Sequence, residues 1–193
     1  PLVVLDRYYQ ELDIPTVLIA NIKAGYDATK HLLERGHRRI GLIMGPEKLK
    51  IVHDRMTGYK NALYEYCITP DDSLIVKGNF SVESGYKAGK YFAELKEPPT
   101  AIFSMNDLMA IGCIRALEAK GLTVPGDMSL IGFDDIMEGS LLSKPLTTMK
   151  QPTLEMGELA MNKLLKLLKK GKVEKKIEVL EAELIERHSV VSK

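Results

Sequence analysis

Two patterns alternate along this chain. Short runs of branched and apolar residues recur throughout, and between them apolar residues fall at helical spacing. That alternation predicts an α/β fold, a parallel sheet flanked by helices. Strands are predicted at 1–5, 16–20, 39–44, 73–76, 100–104, 128–133 and 146–150, with one or two more within 176–190. Helices are predicted at 25–35, stopped by Gly36, and at 54–66. Ser81 caps a third that runs towards Leu95, and Asn106 or Asp107 caps a fourth that stops at Gly121. A short helical piece near 138–142 and a long amphipathic helix from Thr153 to about Gly171 complete the set. A polar loop follows the first strand. That strand reads as buried with no leader, cap or turn before it, so the chain is expected to lack an N-terminal portion.

The ends of the predicted strands carry the chemistry. The first delivers Asp6, and 39–44 leads through Gly45-Pro46 into a loop and helix carrying Arg55. The next four are followed by Phe80, Asn106, Asp134 and Gln151. Parallel strands aim their carboxyl ends at one side of a sheet, where ligands bind in open α/β folds. Two carboxylates, a guanidinium, two amides and a ring suit a polyhydroxylated ligand: the charged groups bond neighbouring hydroxyls and the ring covers an apolar sugar face. Each residue also has a plainer reading. Asp134 can cap the short helix after it, Asn106 can be only an N-cap, Arg55 a solvated surface cation, and Phe80 a core residue. Asp135 reads as support for its neighbour or for a turn.

Composition narrows the classes. The 193 residues, 45% hydrophobic and 27% charged, are ordinary for a globular protein. A net charge of +1 advertises neither nucleic-acid nor membrane binding. Cys67 and Cys113 read as reduced core residues, which suits the cytoplasm. No apolar run approaches the roughly 18 residues of a membrane span. His31, His37, His53 and His188 have no metal-binding spacing, and no GxSxG, P-loop or GxGxxG occurs. Asp134 and Asp135, adjacent at a strand end, point in different directions and do not read as an acid/base pair. No enzyme activity, metal or cofactor is expected. The basic run LLKLLKKGKVEKK reads as a solvated helix face and loop.

Six segments together resemble the LacI/GalR family of transcription regulators: VLDRYYQE, AGYDATKHLLERGHRRIGLIMGP, DRMTGYKNAL, PTAIFSMNDLMAIGCIRALEAKGLTVPGDMSLIGFDD, PLTTMKQP and LIERHS. The resemblance implies a sensor domain like periplasmic sugar-binding proteins, two α/β subdomains with the effector in the cleft between them. Carried over, 1–21 and 146–171 would be part of the N-terminal subdomain, and 22–145 with 172–193 the C-terminal one. The helix-turn-helix would lie outside this chain. The family's effector contacts match Asp6, Arg55, Phe80, Asn106, Asp134 and Gln151, and Met105-Asn106-Asp107 resembles sugar-responsive members. Many relatives carry Asp where this chain has Ala20. The resemblance further implies a homodimer through 81–86, 110–119 and 137–145, with operator DNA bound only by the full-length protein. A sugar-binding protein of a transport system is the alternative, and an α/β enzyme acting on a sugar the third reading.

Overall fold

The computed structural model describes residues 1–7 and 13–193. Much of the polar loop after the first strand therefore lies outside the described residues. Nine strands among the described residues form two sheets. The smaller holds β1 (Val4–Leu5), β2 (Thr16–Ile19) and β8 (Ile177–Leu180), all parallel, with β2 in the middle. The larger has the order β4-β3-β5-β6-β7-β9. Its members are β3 (Ile40–Met44), β4 (Ile75–Lys77), β5 (Ala101–Ser104), β6 (Ser129–Asp134), β7 (Thr147–Lys150) and β9 (Glu183–Ile185), parallel except for β9. The α/β class with helices flanking a mainly parallel sheet is as the sequence predicts.

Six α-helices among the described residues join these strands: α1 (Asn21–Glu34), α2 (Lys50–Glu65), α3 (Val82–Glu94), α4 (Asp107–Ala119), α5 (Met137–Ser140) and α6 (Thr153–Lys170). The first four pack in pairs, α1 with α2 and α3 with α4. Glycines bring α1 and α2 close. A Cβ at Gly25 would stand 2.3 Å from the Arg55 carbonyl oxygen, and one at Gly58 2.1 Å from that of Ile22. The main core lies between these helices and the larger sheet, with Leu32, Leu42, Tyr59, Phe92, Phe103, Leu130 and Phe133 all buried. The smaller sheet has a separate cluster of Val17 and Ile19 against Met156 and Ala160 of α6. No helix among the described residues is long and apolar enough to cross a membrane.

Several expectations need correction. The strand at 146–150 was expected with the smaller unit, but β7 pairs with β6 and β9 in the larger sheet. Only the helix after it packs on the smaller one. The closing segment was assigned to the larger unit, yet it divides: β8 joins β2, and β9 joins β7. The opening run is not a buried strand, since only Val4–Leu5 pairs and Leu2 and Leu5 are exposed. At 73–76, Asp71 accepts a hydrogen bond from the Ser73 amide and winds Asp72–Leu74 into a 3₁₀ turn, which delays the strand to Ile75. Cys67 lies past the end of α2 and is exposed, so only Cys113 is a core cysteine.

Among the described residues the chain passes between the sheets three times. Only Ala20 separates β2 from α1, only Gln151 and Pro152 separate β7 from α6, and only Glu181 and Ala182 separate β8 from β9.

Candidate functional site

Arg55 is the centre of the strand-end cluster. Helix α2 begins at Lys50, earlier than the sequence pattern indicates, so Arg55 sits inside the helix and only 2% exposed. Its guanidinium carbon lies 3.4 Å from the centroid of the Phe133 ring, a cation stacked on an aromatic face. Arg55 Nε donates to Asn21 Oδ1 at 2.8 Å, and one terminal nitrogen donates to the Met105 carbonyl at 2.6 Å. The reading of Arg55 as a solvated surface cation therefore fails.

Two carboxylates act on this cation from different sheets. Asp6 follows β1, and Asp134 ends β6. Burial raises both above the ordinary carboxylate range, and the Arg55 charge pulls each back down. Burial in turn lowers Arg55 to about 10, while Asp134 and then Asp6 pull it upward. Neither carboxylate comes within 4.0 Å of an Arg55 nitrogen among the described residues. Asp6 Oδ1 is buried and has no hydrogen-bond partner there. Such an oxygen loses solvation without compensation.

The remaining predicted residues connect to this centre. Gln151 donates to Asp134 Oδ1 at 2.6 Å. Asn106, 6% exposed, caps α4 by accepting from the Met109 amide at 2.9 Å. Its side-chain nitrogen donates to the Phe80 carbonyl at 3.1 Å, so the N-cap reading holds; the carbonyl that accepts from Arg55 belongs to Met105, the residue before it. Phe80, half-buried, packs its ring over Gly45, where a Cβ would meet it at 2.2 Å. Asp6, Phe80, Asp134 and Asp135 all have positive φ (51°, 68°, 115° and 61°), a conformation uncommon outside glycine. Strained backbone of this kind concentrates at binding sites. Gln151 is thus bonded to Asp134 and Asn106 to the Phe80 backbone, while Asp6 and Asp134 act on Arg55 through charge alone.

Asn21 belongs to the same group and was not among the predicted site residues. It is 5% exposed, donates to the Ile19 carbonyl at 3.2 Å, and accepts from Arg55. Ala20 ahead of it supplies no side-chain cap for α1. Two hollows of about 200 and 490 Å³ border Asn21 and Asp54, and neither is lined by any of the six predicted residues. No group of three His, Cys, Asp or Glu side chains among the described residues could hold a metal ion.

Two mainly parallel sheets joined by three short crossings among the described residues define a periplasmic-binding-protein-like α/β domain. The profile of the periplasmic binding protein-like domain matches residues 29–190. The chain belongs to this family, in the form carried by LacI-type regulators. It is 41% identical over 189 residues to the HTH-type transcriptional repressor CytR of Escherichia coli, covering 98% of this chain and 55% of that protein. It is 38% identical over 192 residues to the ribose operon repressor of Haemophilus influenzae, covering 100% and 58%. Among solved structures it superposes, at 32% identity and a TM-score of 0.92, on a LacI family regulator from Enterococcus faecium with bound ribose, covering 99% and 70%. The chain spans little more than half the length of these curated relatives.

Proposed function

We propose that this chain is the effector-binding region of a longer LacI-type transcription regulator and takes a sugar or sugar derivative at the Arg55 cluster. The observation that carries this reading is a buried guanidinium facing carboxylates from two different sheets, one with an unpartnered oxygen. Hydroxyls both donate and accept, so they suit Asp6, Asp134 and the uncommitted terminal nitrogen of Arg55 together. Asn106 and Gln151 add amides, and the Phe80 ring an apolar face. The ribose bound to the Enterococcus faecium regulator supports the sugar class. The repressors at 41 and 38% identity favour regulation over transport.

Binding energy realised in only one orientation of the two sheets would shift the equilibrium between orientations. In the longer protein that shift would control DNA binding by a helix-turn-helix outside this chain, in the cytoplasm. A homodimer through 81–86, 110–119 and 137–145 fits the same reading. Met137 and Leu141 are 71% and 73% exposed, a pair better placed against a second copy than in water.

The test is a calorimetric and thermal-shift screen of pentoses, hexoses and disaccharides, D-ribose first, on the full-length protein. Arg55→Ala and Asp134→Ala should each weaken a positive response at least 100-fold, as truncation of a buried charge partner predicts (about 3 kcal/mol or more). An unchanged affinity in both variants would falsify the site.

A further inference from the structure

Asp134 lies at the end of a strand whose alternation has already broken. With φ of 115° it has left the extended conformation, and Asp135 follows at 61°. The direction of the Asp134 carboxylate is therefore set by this turn and not by the period of the sheet. Two non-glycine residues in succession at positive φ need external support.

That support comes from beneath the turn. Asp107, in the first turn of α4, is 0% exposed. Its Oδ2 accepts from the Ile136 backbone amide at 2.9 Å, and its Oδ1 accepts from the Thr148 hydroxyl of β7 at 2.7 Å. The Asp135 backbone amide also acts on this carboxylate. Gly132, between the apolar Ile131 and Phe133 of β6, is where the carboxylate lies: a Cβ there would stand 2.0 Å from Asp107 Oδ1. From the other side Arg187 donates to Asp135 Oδ1 at 2.6 Å and to the Leu146 carbonyl at 2.8 Å.

We infer that Asp107 is a positioning residue for the effector site: its buried carboxylate, seated over Gly132, clamps the 134–136 backbone and so aims Asp134 at the ligand. Asp107 itself does not touch the ligand. The inference rests on the reading of Asp134 as a ligand contact, and it assigns a purpose to a buried carboxyl group and a strand glycine that the six-residue site leaves unexplained. The same clamp fixes the start of α5, since Ile136 is the residue before Met137.

Four variants of the full-length protein test it: Asp107→Ala, Asp107→Asn, Gly132→Ala and Thr148→Val. Hydrogen exchange of 134–140 is followed without ligand, and D-ribose affinity is measured by calorimetry. Asp107→Ala and Gly132→Ala should speed exchange of 134–140 at least tenfold and weaken D-ribose at least tenfold, with 101–104 still protected. Asp107→Asn retains a carbonyl acceptor for the Ile136 amide and should restore most of both. Should the alanine variants unfold, Thr148→Val, which removes one donor only, should show a smaller change in the same direction. Unaltered exchange of 134–140 in every folded variant overturns the proposal, as does faster exchange with D-ribose affinity kept within twofold. If the wild-type protein binds no D-ribose, the sugar reading is what suffers. The exchange data, with the Asp134 carboxyl resonance in Asp107→Asn and wild type, then decide whether the clamp exists.

Discussion

The two sheets are stabilised unequally. The larger buries Phe92, Phe103, Phe133 and Tyr59 completely, within one continuous core under paired helices. The smaller has three strands, of which β1 is only two residues long, and a cluster of four buried side chains among the described residues. Local opening free energies follow buried apolar area and contact density, so the two halves should open at different free energies. The candidate site straddles this difference. Arg55, Phe80, Asn106 and Asp134 are carried by the robust half, whereas Asp6 hangs on the shortest strand of the weak one. A ligand that bonds both sides would therefore stabilise the smaller sheet more than the larger.

The largest test of that contrast is Phe103→Ala. Truncating a fully buried ring in the main core should cost about 3–5 kcal/mol and lower the urea midpoint of the whole protein. A loss under about 1 kcal/mol would remove the basis for calling the larger sheet the robust half. Ile19→Ala, in the smaller cluster, should cost about 2 kcal/mol. Its effect should concentrate in faster amide exchange of β1, β2 and β8, leaving β5 protected. Equal acceleration in both sheets would show that they unfold as one unit.

A pH series probes the robust half further. His31 is buried, and desolvation followed by the Arg35 charge pushes its pKa down to about 4 against a usual 6.5. Above pH 6.5 neither the folded nor the unfolded state carries the proton. As pH falls from 6.5 towards 4, only the unfolded chain gains it, so stability declines across that window and the decline levels off below 4. Urea midpoints at pH 7, 5.5 and 4.5 check this, and His31→Gln should flatten the slope. The smallest effect is expected at Cys67, where Cys67→Ser should change stability by less than about 0.5 kcal/mol. A thiol reagent should label native Cys67, and Cys113 only after unfolding; early labelling of Cys113 would mean the main core opens more readily than its packing implies.

Much of this was legible from residue patterns. Fully buried parallel strands such as β3, β5 and β6 are nearly continuous apolar runs, so their ends, and with them Asn106 and Asp134 as candidates, could be read directly. Sheet membership could not. The four residues of β7 carry no mark of which neighbours they pair with, and β8 and β9 differ in partner across a two-residue link. The burial of Arg55 was hidden because α2 starts after Leu49, which offers no capping side chain as a signal. Asn21 and Asp107 were seen only as a loop residue and a helix cap. One clue to Asp107 was present: a glycine inside an apolar strand marks a close approach by another group.

Each crossing between the sheets is one or two residues long, at Ala20, Gln151-Pro152 and Glu181-Ala182. Three short straps leave few torsions able to move, so any relative motion of the sheets would be a rocking about them. Rocking is geared. A fraction of an ångström closed around a ligand beside the straps becomes a proportionally larger swing at the far edge of either sheet. A small molecule bound at the junction, as proposed, would thus have the mechanical advantage to reposition whatever is attached at a distance.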